Sequence, residues 1–239
     1  MDFVLVHGAW HGAWCWSRIT GALEAMGHRA LAIDLPGLGD DPAPPESVSF
    51  RDWIARVGDA LDRCASPAVL VGHSMGGLAI SAMAERRPES IRRLVYVAAL
   101  LPASGQSAAD IEDENPDPRI PQHTTRSPDG KLLSLAAGSL RELLYHDCPP
   151  EIAAEAGRRL RPQSFETFIT RVRLTPGRFG QVPRTYIECT EDGAICLALQ
   201  RRMQANWPGT EVVSIKSGHS PFFSAPEELA ALLSQAASS

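Results

Sequence analysis

No apolar run in this 239-residue chain approaches the length of a membrane span. Its opening, Met-Asp-Phe-Val-Leu-Val-His-Gly, has no basic stretch ahead of the short apolar segment. Neither a membrane anchor nor a secretory leader is expected, and the default location is cytoplasmic. Paired cysteines are also missing. Cys15, Cys64, Cys148, Cys189 and Cys196 are odd in number, scattered, and never spaced Cys-x-x-Cys. That pattern argues against a disulfide framework and a zinc site, and for free thiols in a reducing compartment. A concentrated basic surface is lacking too: the formal net charge is -5, which argues against a nucleic-acid partner. Arg158, Arg159, Arg161, Arg171, Arg173 and Arg178 do gather in one stretch, and read as solvated helix faces. There is no internal repeat and no low-complexity tract.

What is present is an ordinary globular balance, 44% hydrophobic and 21% charged, in a length that suits one large α/β domain or two small ones. Short apolar, β-branched runs alternate with helix-like segments, the mark of βαβ units and a parallel sheet. Six strands are predicted, over 3–6, 29–33, 68–71, 94–98, 185–188 and 211–215. Helices are predicted over 14–26, 49–64, 75–87, 195–205 and 226–237, on both faces of the sheet. The alternation fails over 101–183, where prolines are frequent and no strand is expected. This stretch reads as a cap inserted into a core formed by 1–100 and 184–239. Within it, 102–130 is expected as loop, and 132–144, 151–160 and 165–172 as short helices.

Gly72-His73-Ser74-Met75-Gly76 follows the apolar run 68–71 and precedes a helical run. It reads as a nucleophile elbow, a strand-to-helix turn that holds a serine hydroxyl out of the backbone's way. The glycines are needed because neighbouring backbone passes too close for a Cβ. A serine nucleophile needs a histidine base and an acid that fixes the imidazole tautomer. His219 lies in a Ser-Gly-His-Ser turn after the last strand, at the same sheet edge as Ser74. The segment Glu188-Cys189-Thr190-Glu191-Asp192 leaves the fifth strand; Asp192 is the preferred acid, with Glu191 the alternative. Asp34, whose use would break the order serine, acid, histidine, reads as a turn residue. The Met75 amide supplies one oxyanion donor, and the loop His7-Gly8-Ala9-Trp10-His11-Gly12 a second at Ala9. His7 and His11 lack a third metal-ligand partner and read as loop-shaping, and His73 as packed beneath the turn. Trp10 and Phe222 are the aromatic candidates for a substrate pocket.

With these residues in place, the chain resembles the α/β-hydrolase superfamily over nearly its whole length, within the branch of methylesterases and hydroxynitrile lyases. The resemblance is carried by Phe-Val-Leu-Val-His-Gly-Ala-Trp-His-Gly-Ala-Trp (3–14), Gly-His-Arg-Ala-Leu-Ala-Ile-Asp-Leu-Pro-Gly (27–37), Val-Gly-His-Ser-Met-Gly-Gly (71–77), Val-Tyr-Val-Ala-Ala-Leu-Leu-Pro (95–102) and Cys-Thr-Glu-Asp (189–192). It implies catalytic Ser74, Asp192 and His219, oxyanion amides at Ala9 and Met75, a helical cap, no cofactor, and hydrolysis of small carboxylic esters. The lyases of this branch resemble one another in a threonine in the first-strand loop and a lysine directly after the catalytic histidine. This chain has Ala9 and Ser220 there, which favours an esterase. Ser217-Gly218 stands where plant members tend to carry an acidic residue, a departure that bears on substrate choice. Alternatives on the same fold are lyase-like or perhydrolase activity, or a non-catalytic small-ligand receptor. A homodimer is compatible with the sequence, which leaves the oligomeric state open.

Overall fold

The computed structural model describes residues 1–238. The chain runs through β1 (Asp2–Val6), α1 (Ser17–Ala25), β2 (Arg29–Ile33), α2 (Phe50–Leu61), β3 (Ala68–His73), α3 (Gly76–Arg86) and β4 (Ile91–Val97). A long connection follows, holding α4 (Ala108–Asp113), α5 (Arg119–Gln122), β5 (Thr124–Arg126), β6 (Leu132–Leu135), α6 (Leu140–Leu144), α7 (Pro150–Arg159), β7 (Gln163–Ser164) and α8 (Glu166–Ile169). The chain then returns through β8 (Arg184–Cys189), α9 (Leu197–Ala205), β9 (Glu211–Ile215), α10 (Pro221–Ser224) and α11 (Pro226–Ser238).

Six strands form one sheet in the order β2-β1-β3-β4-β8-β9, and every pairing in it is parallel. All six predicted strands are present. β3 extends to His73 and β4 begins at Ile91, three residues before the expected start. Strand residues alternate between the two faces, as the period of two requires. Val4, Val6 and Leu70 join the apolar cluster that includes Trp53 and Val57 of α2 and Leu78 and Ala79 of α3. Phe3, Leu5, Val69 and Val71 join the opposite cluster, with Ile19 and Leu23 of α1 and Leu229 and Leu233 of α11. α2 starts from a reciprocal capping box between Ser49 and Asp52, which satisfies two otherwise orphaned amides. Because β2 lies on one side of β1 and β3 on the other, the topological switch falls between β1 and β3. Open α/β sheets bind ligands at the carboxyl ends of the strands flanking such a point.

The connection differs from its expected form. The segment 102–130, expected as loop, contains α4, α5 and β5, and α4 begins from a Ser107/Asp110 capping box. The segment 132–144, expected as one helix, is β6 followed by the single turn of α6. Leu132–Leu135 has no strong intrinsic preference for a strand; pairing with β5 and β7 in a three-stranded antiparallel sheet decides it. Only α8 is helical within 165–172, while α7 matches its prediction closely. Several arginines of this stretch also do more than face solvent. Arg161 donates to the Gly39 and Asp41 carbonyls, Arg178 to the Glu85 and Arg86 carbonyls, and Arg171 grips Asp110 with two nitrogens. Arg161 and Arg178 thereby tie the connection to the rest of the chain.

Candidate active site

Ser74 occupies the sharp turn between β3 and α3 with φ +51°, a left-handed conformation that a non-glycine residue adopts only when its surroundings enforce it. Its amide donates to the Val97 carbonyl at 3.3 Å, and its carbonyl accepts from the Leu100 amide at 2.9 Å, so the end of β4 holds the turn. A Cβ on Gly72 would lie 3.0 Å from the backbone carbonyl carbon and oxygen of Gly76, and one on Gly76 would lie 2.6 Å from the His7 carbonyl oxygen. Both glycines are therefore required by close approach, as the sequence suggested.

Asp192, in the loop after β8, is buried, and its Oδ2 is 2.8 Å from His219 Nδ1. Its other oxygen accepts from the Ala194 and Ile195 amides at 2.7 and 2.8 Å. A carboxylate so held can only accept, so the proton lies on Nδ1 and leaves Nε2 of His219 with a free lone pair. His219 and Ser74 line the same cavity. The loop carrying His219 is fixed twice more. His73 Nε2 donates to the His219 carbonyl at 2.8 Å, and Asp147 of the connection accepts the Gly218 amide at 2.6 Å and the Ser217 hydroxyl at 3.1 Å. Asp147 was not singled out from sequence, since no spacing rule links it to a loop so far along the chain. Glu191, the alternative acid, faces Lys216 at 3.7 Å, and both side chains are exposed. Asp34 accepts the Ala13 amide at 2.7 Å and so shapes the loop after β1.

That loop brings Ala9 against the elbow. His7 donates from Nδ1 to the Gly8 carbonyl and accepts the Leu35 amide at Nε2. His11 donates from Nδ1 to the Ala9 carbonyl and accepts the Tyr145 hydroxyl at Nε2, each at 2.7 Å. Burial, which penalises the charged form, lowers His7 to about 4 and His11 to about 3, and holds His73 well below the usual range. All three are therefore neutral struts at ordinary pH. Ala9 and Met75 both line the cavity, and neither amide donates to an acceptor among the described residues. Trp10 also lines it, with φ +62°. Phe222, the other aromatic candidate, does not. Its fully buried ring lies 4.9 Å from that of His73 and 5.4 Å from that of Trp16. The helical turn that Pro221 opens directs it into the core behind the site, where it supports the histidines instead of meeting a ligand.

The cavity holds about 320 Å³. Trp10, Met75, Leu100 and Ile195 form its walls on the sheet side, and Ile120, Leu133, Phe165 and Phe168 on the side of the connection. Glu112, Asp113 and Arg126 are the charged exceptions in this apolar lining. Burial raises the Glu112 carboxyl to about 7, and Arg126 stacks on the Phe165 ring at 3.6 Å. No cluster of three or more histidine, cysteine or acidic side chains suited to a metal occurs among the described residues. Nor is any helix among them long and apolar enough to cross a membrane.

Comparison with known proteins identifies the family. Esterase PIR7B of Oryza sativa subsp. japonica is 33% identical over 250 residues, covering 97% of this chain and 93% of its own. Salicylic acid-binding protein 2 of Nicotiana tabacum is 33% identical over 247 residues, covering 97% and 95%. A crystal structure of a pyrethroid hydrolase from Sphingobium faniae JZ-2 superposes with a TM-score of 0.90 at 31% identity, covering 100% of this chain and 98% of that one. The family model described as "Alpha/beta hydrolase family" matches residues 3–232. Together with the parallel sheet and the turn at Ser74, these matches establish that the chain belongs to the alpha/beta hydrolase family.

Proposed function

We propose that this protein is a carboxylic ester hydrolase that works through an acyl-enzyme on Ser74. The observation that carries the reading is the buried His219–Asp192 hydrogen bond of 2.8 Å beside a cavity that Ser74 and His219 share. Ser74 Oγ attacks the ester carbonyl while His219 Nε2 takes its proton. Asp192, held by two amides and unable to donate, keeps the imidazole in the required tautomer and stabilises its positive charge. The carbonyl oxygen becomes an anion at the Ala9 and Met75 amides, whose N–H groups donate to no acceptor among the described residues. His219 then protonates the departing alcohol, and water, activated by the same imidazole, hydrolyses the acyl-enzyme. The residues 101–183 serve as the cap, supplying the apolar walls over the site.

The wall chemistry favours small esters with apolar acyl or alcohol groups, in keeping with the esterase and pyrethroid hydrolase names of the relatives. Ser220, at the position where the lyases of this branch carry a lysine, is fully buried and outside the cavity lining. No ammonium is available there to stabilise a departing cyanide. The test is hydrolysis of p-nitrophenyl acetate with rapid mixing. An initial burst or steady turnover in the wild type, abolished in Ser74→Ala, is expected. Retained turnover in a folded Ser74→Ala sample would remove Ser74 from the mechanism, and an inert wild type would favour a ligand-binding role.

A further inference from the structure

We propose that Gln163 is a positioning residue of the oxyanion hole, holding the Ala9 and Met75 segments at their working separation, so that the docked connection is part of the catalytic apparatus. The inference rests on the ester-hydrolase reading of Ser74 given above. Gln163 lies in the two-residue strand β7, paired with Leu133, and is 1% exposed. Its Oε1 accepts the Trp10 amide at 2.9 Å. Its Nε2 donates to Thr167 Oγ1 at 2.9 Å and touches Met75 Sδ at 3.2 Å. One side chain of the connection therefore touches the residue that bears one oxyanion amide and the residue that follows the other.

The bond to Trp10 acts directly on the hole. The peptide group between Ala9 and Trp10 is gripped at both edges, its oxygen by His11 Nδ1 at 2.7 Å and its N–H by Gln163. The Ala9 N–H lies in the preceding peptide, whose oxygen accepts from His7 Nδ1 at 2.8 Å, so with both planes held the Ala9 torsions keep that amide on the cavity. The same antiparallel sheet holds the Trp10 ring, whose Nε1 donates to the Leu133 carbonyl at 3.0 Å. The orientation of the glutamine amide is settled by chemistry: the Trp10 N–H can only donate, and the Thr167 hydroxyl gives its proton to the Ser164 carbonyl at 2.7 Å. A buried amide is expensive to desolvate unless it is bonded, and an apolar side chain of similar size would fill the same space. What the glutamine adds is the grip on Trp10.

The test uses Gln163→Met, which is similar in volume and lacks the acceptor, with Gln163→Glu as the rescue, since it restores an oxygen to the Trp10 amide. For p-nitrophenyl acetate, Gln163→Met is expected to lower kcat about 10- to 100-fold, less than outright loss of an oxyanion donor, with KM within about twofold. Affinity for phenylboronic acid, which forms a tetrahedral adduct on the serine, should fall in parallel, and Gln163→Glu should recover part of both losses. A role in packing alone predicts a different pattern: a raised KM confined to bulky esters, with p-nitrophenyl acetate turnover and boronate affinity unchanged. That pattern would overturn the proposal. Should Gln163→Met not fold, Gln163→Asn decides, because it keeps a buried amide but, one methylene shorter, withdraws its oxygen from the Trp10 N–H. A kcat lowered at constant KM supports the proposal, and a wild-type kcat overturns it. Labelling of the wild type by a fluorophosphonate separates the two readings. Absence of label on Ser74 overturns the ester-hydrolase reading and this one with it. A labelled Ser74 with wild-type behaviour of the variants overturns the Gln163 proposal alone.

Discussion

Every residue of β3, in the parallel sheet, is buried, whereas no residue of β5 or β6, in the connection, is fully buried. The sheet is held by continuous apolar clusters on both faces. The connection adds Ile111, Leu143, Leu144 and Phe179 to those clusters and is tied further by individual polar contacts, such as Arg161 to the Gly39 and Asp41 carbonyls and the Trp10 amide to Gln163. The proposed chemistry follows the same division. Ser74, Asp192 and His219 sit at strand ends of the sheet, while Ile120, Leu133, Phe165 and Phe168 of the connection complete the cavity. In that reading the sheet is the frame whose strand ends carry the reacting groups, and the connection supplies part of the walls around the substrate.

Substitutions can break that division, and the largest effect is expected where the frame carries the chemistry. Ser74→Ala or His219→Ala should lower turnover on the order of 10⁶-fold, read by single-turnover hydrolysis of p-nitrophenyl acetate. A loss of only tenfold would mean that the reacting groups lie elsewhere. Asp192→Asn should lower kcat about 10⁴-fold while leaving the fold intact, measured by the same assay with a melting curve alongside.

Leu70→Ala, in the middle of β3, should cost about 2–5 kcal/mol of stability, while Leu133→Ala in the half-buried β6 should cost about 1–2 kcal/mol and raise KM for bulky esters. Urea unfolding of the two variants compares them; equal losses would erase the contrast between the regions.

Acid should also act on the frame. His7 and His11 are held neutral, at about 4 and about 3, below the 6.5 expected in the unfolded chain. Their contribution is therefore fully present above pH 6.5 and is lost as pH falls through the folded values, by up to about 1.4 kcal/mol per pH unit for each histidine. Unfolding midpoints measured from pH 7 to 5 should fall accordingly, and a flat profile would show that these rings are not buried neutral. The smallest effect is expected at the surface of the connection: Arg171→Ala removes an exposed pair with Asp110 and should change stability by less than about 1 kcal/mol.

The same contrast explains what could be read from the residues. The central strands β1, β3, β4 and β8 are short apolar runs buried almost throughout, and such runs declare themselves locally. Ser74 declared itself through flanking glycines that close approach demands, and His219 and Asp192 through their places at strand ends. In the connection, Leu132–Leu135 resembles the start of a helix as much as a strand, and only its pairing with β5 and β7 decides. The capping box at Ser107 and Asp110 was a legible signal for α4 within the expected loop. Phe222 shows a further limit: closeness in sequence to His219 did not reveal which side of the sheet its ring would take.

By itself, then, the order of residues determined the parallel sheet, the strained turn at Ser74 and the two strand-end loops holding Asp192 and His219, because those features depend on local patterning and on chain direction. Tertiary structure alone decided that Gln163 meets Trp10, that Asp147 anchors the His219 loop, and that the arginines at 161 and 178 bind the connection down. Those contacts join segments far apart in the chain through one or two hydrogen bonds each, which leave no periodicity for a sequence to display.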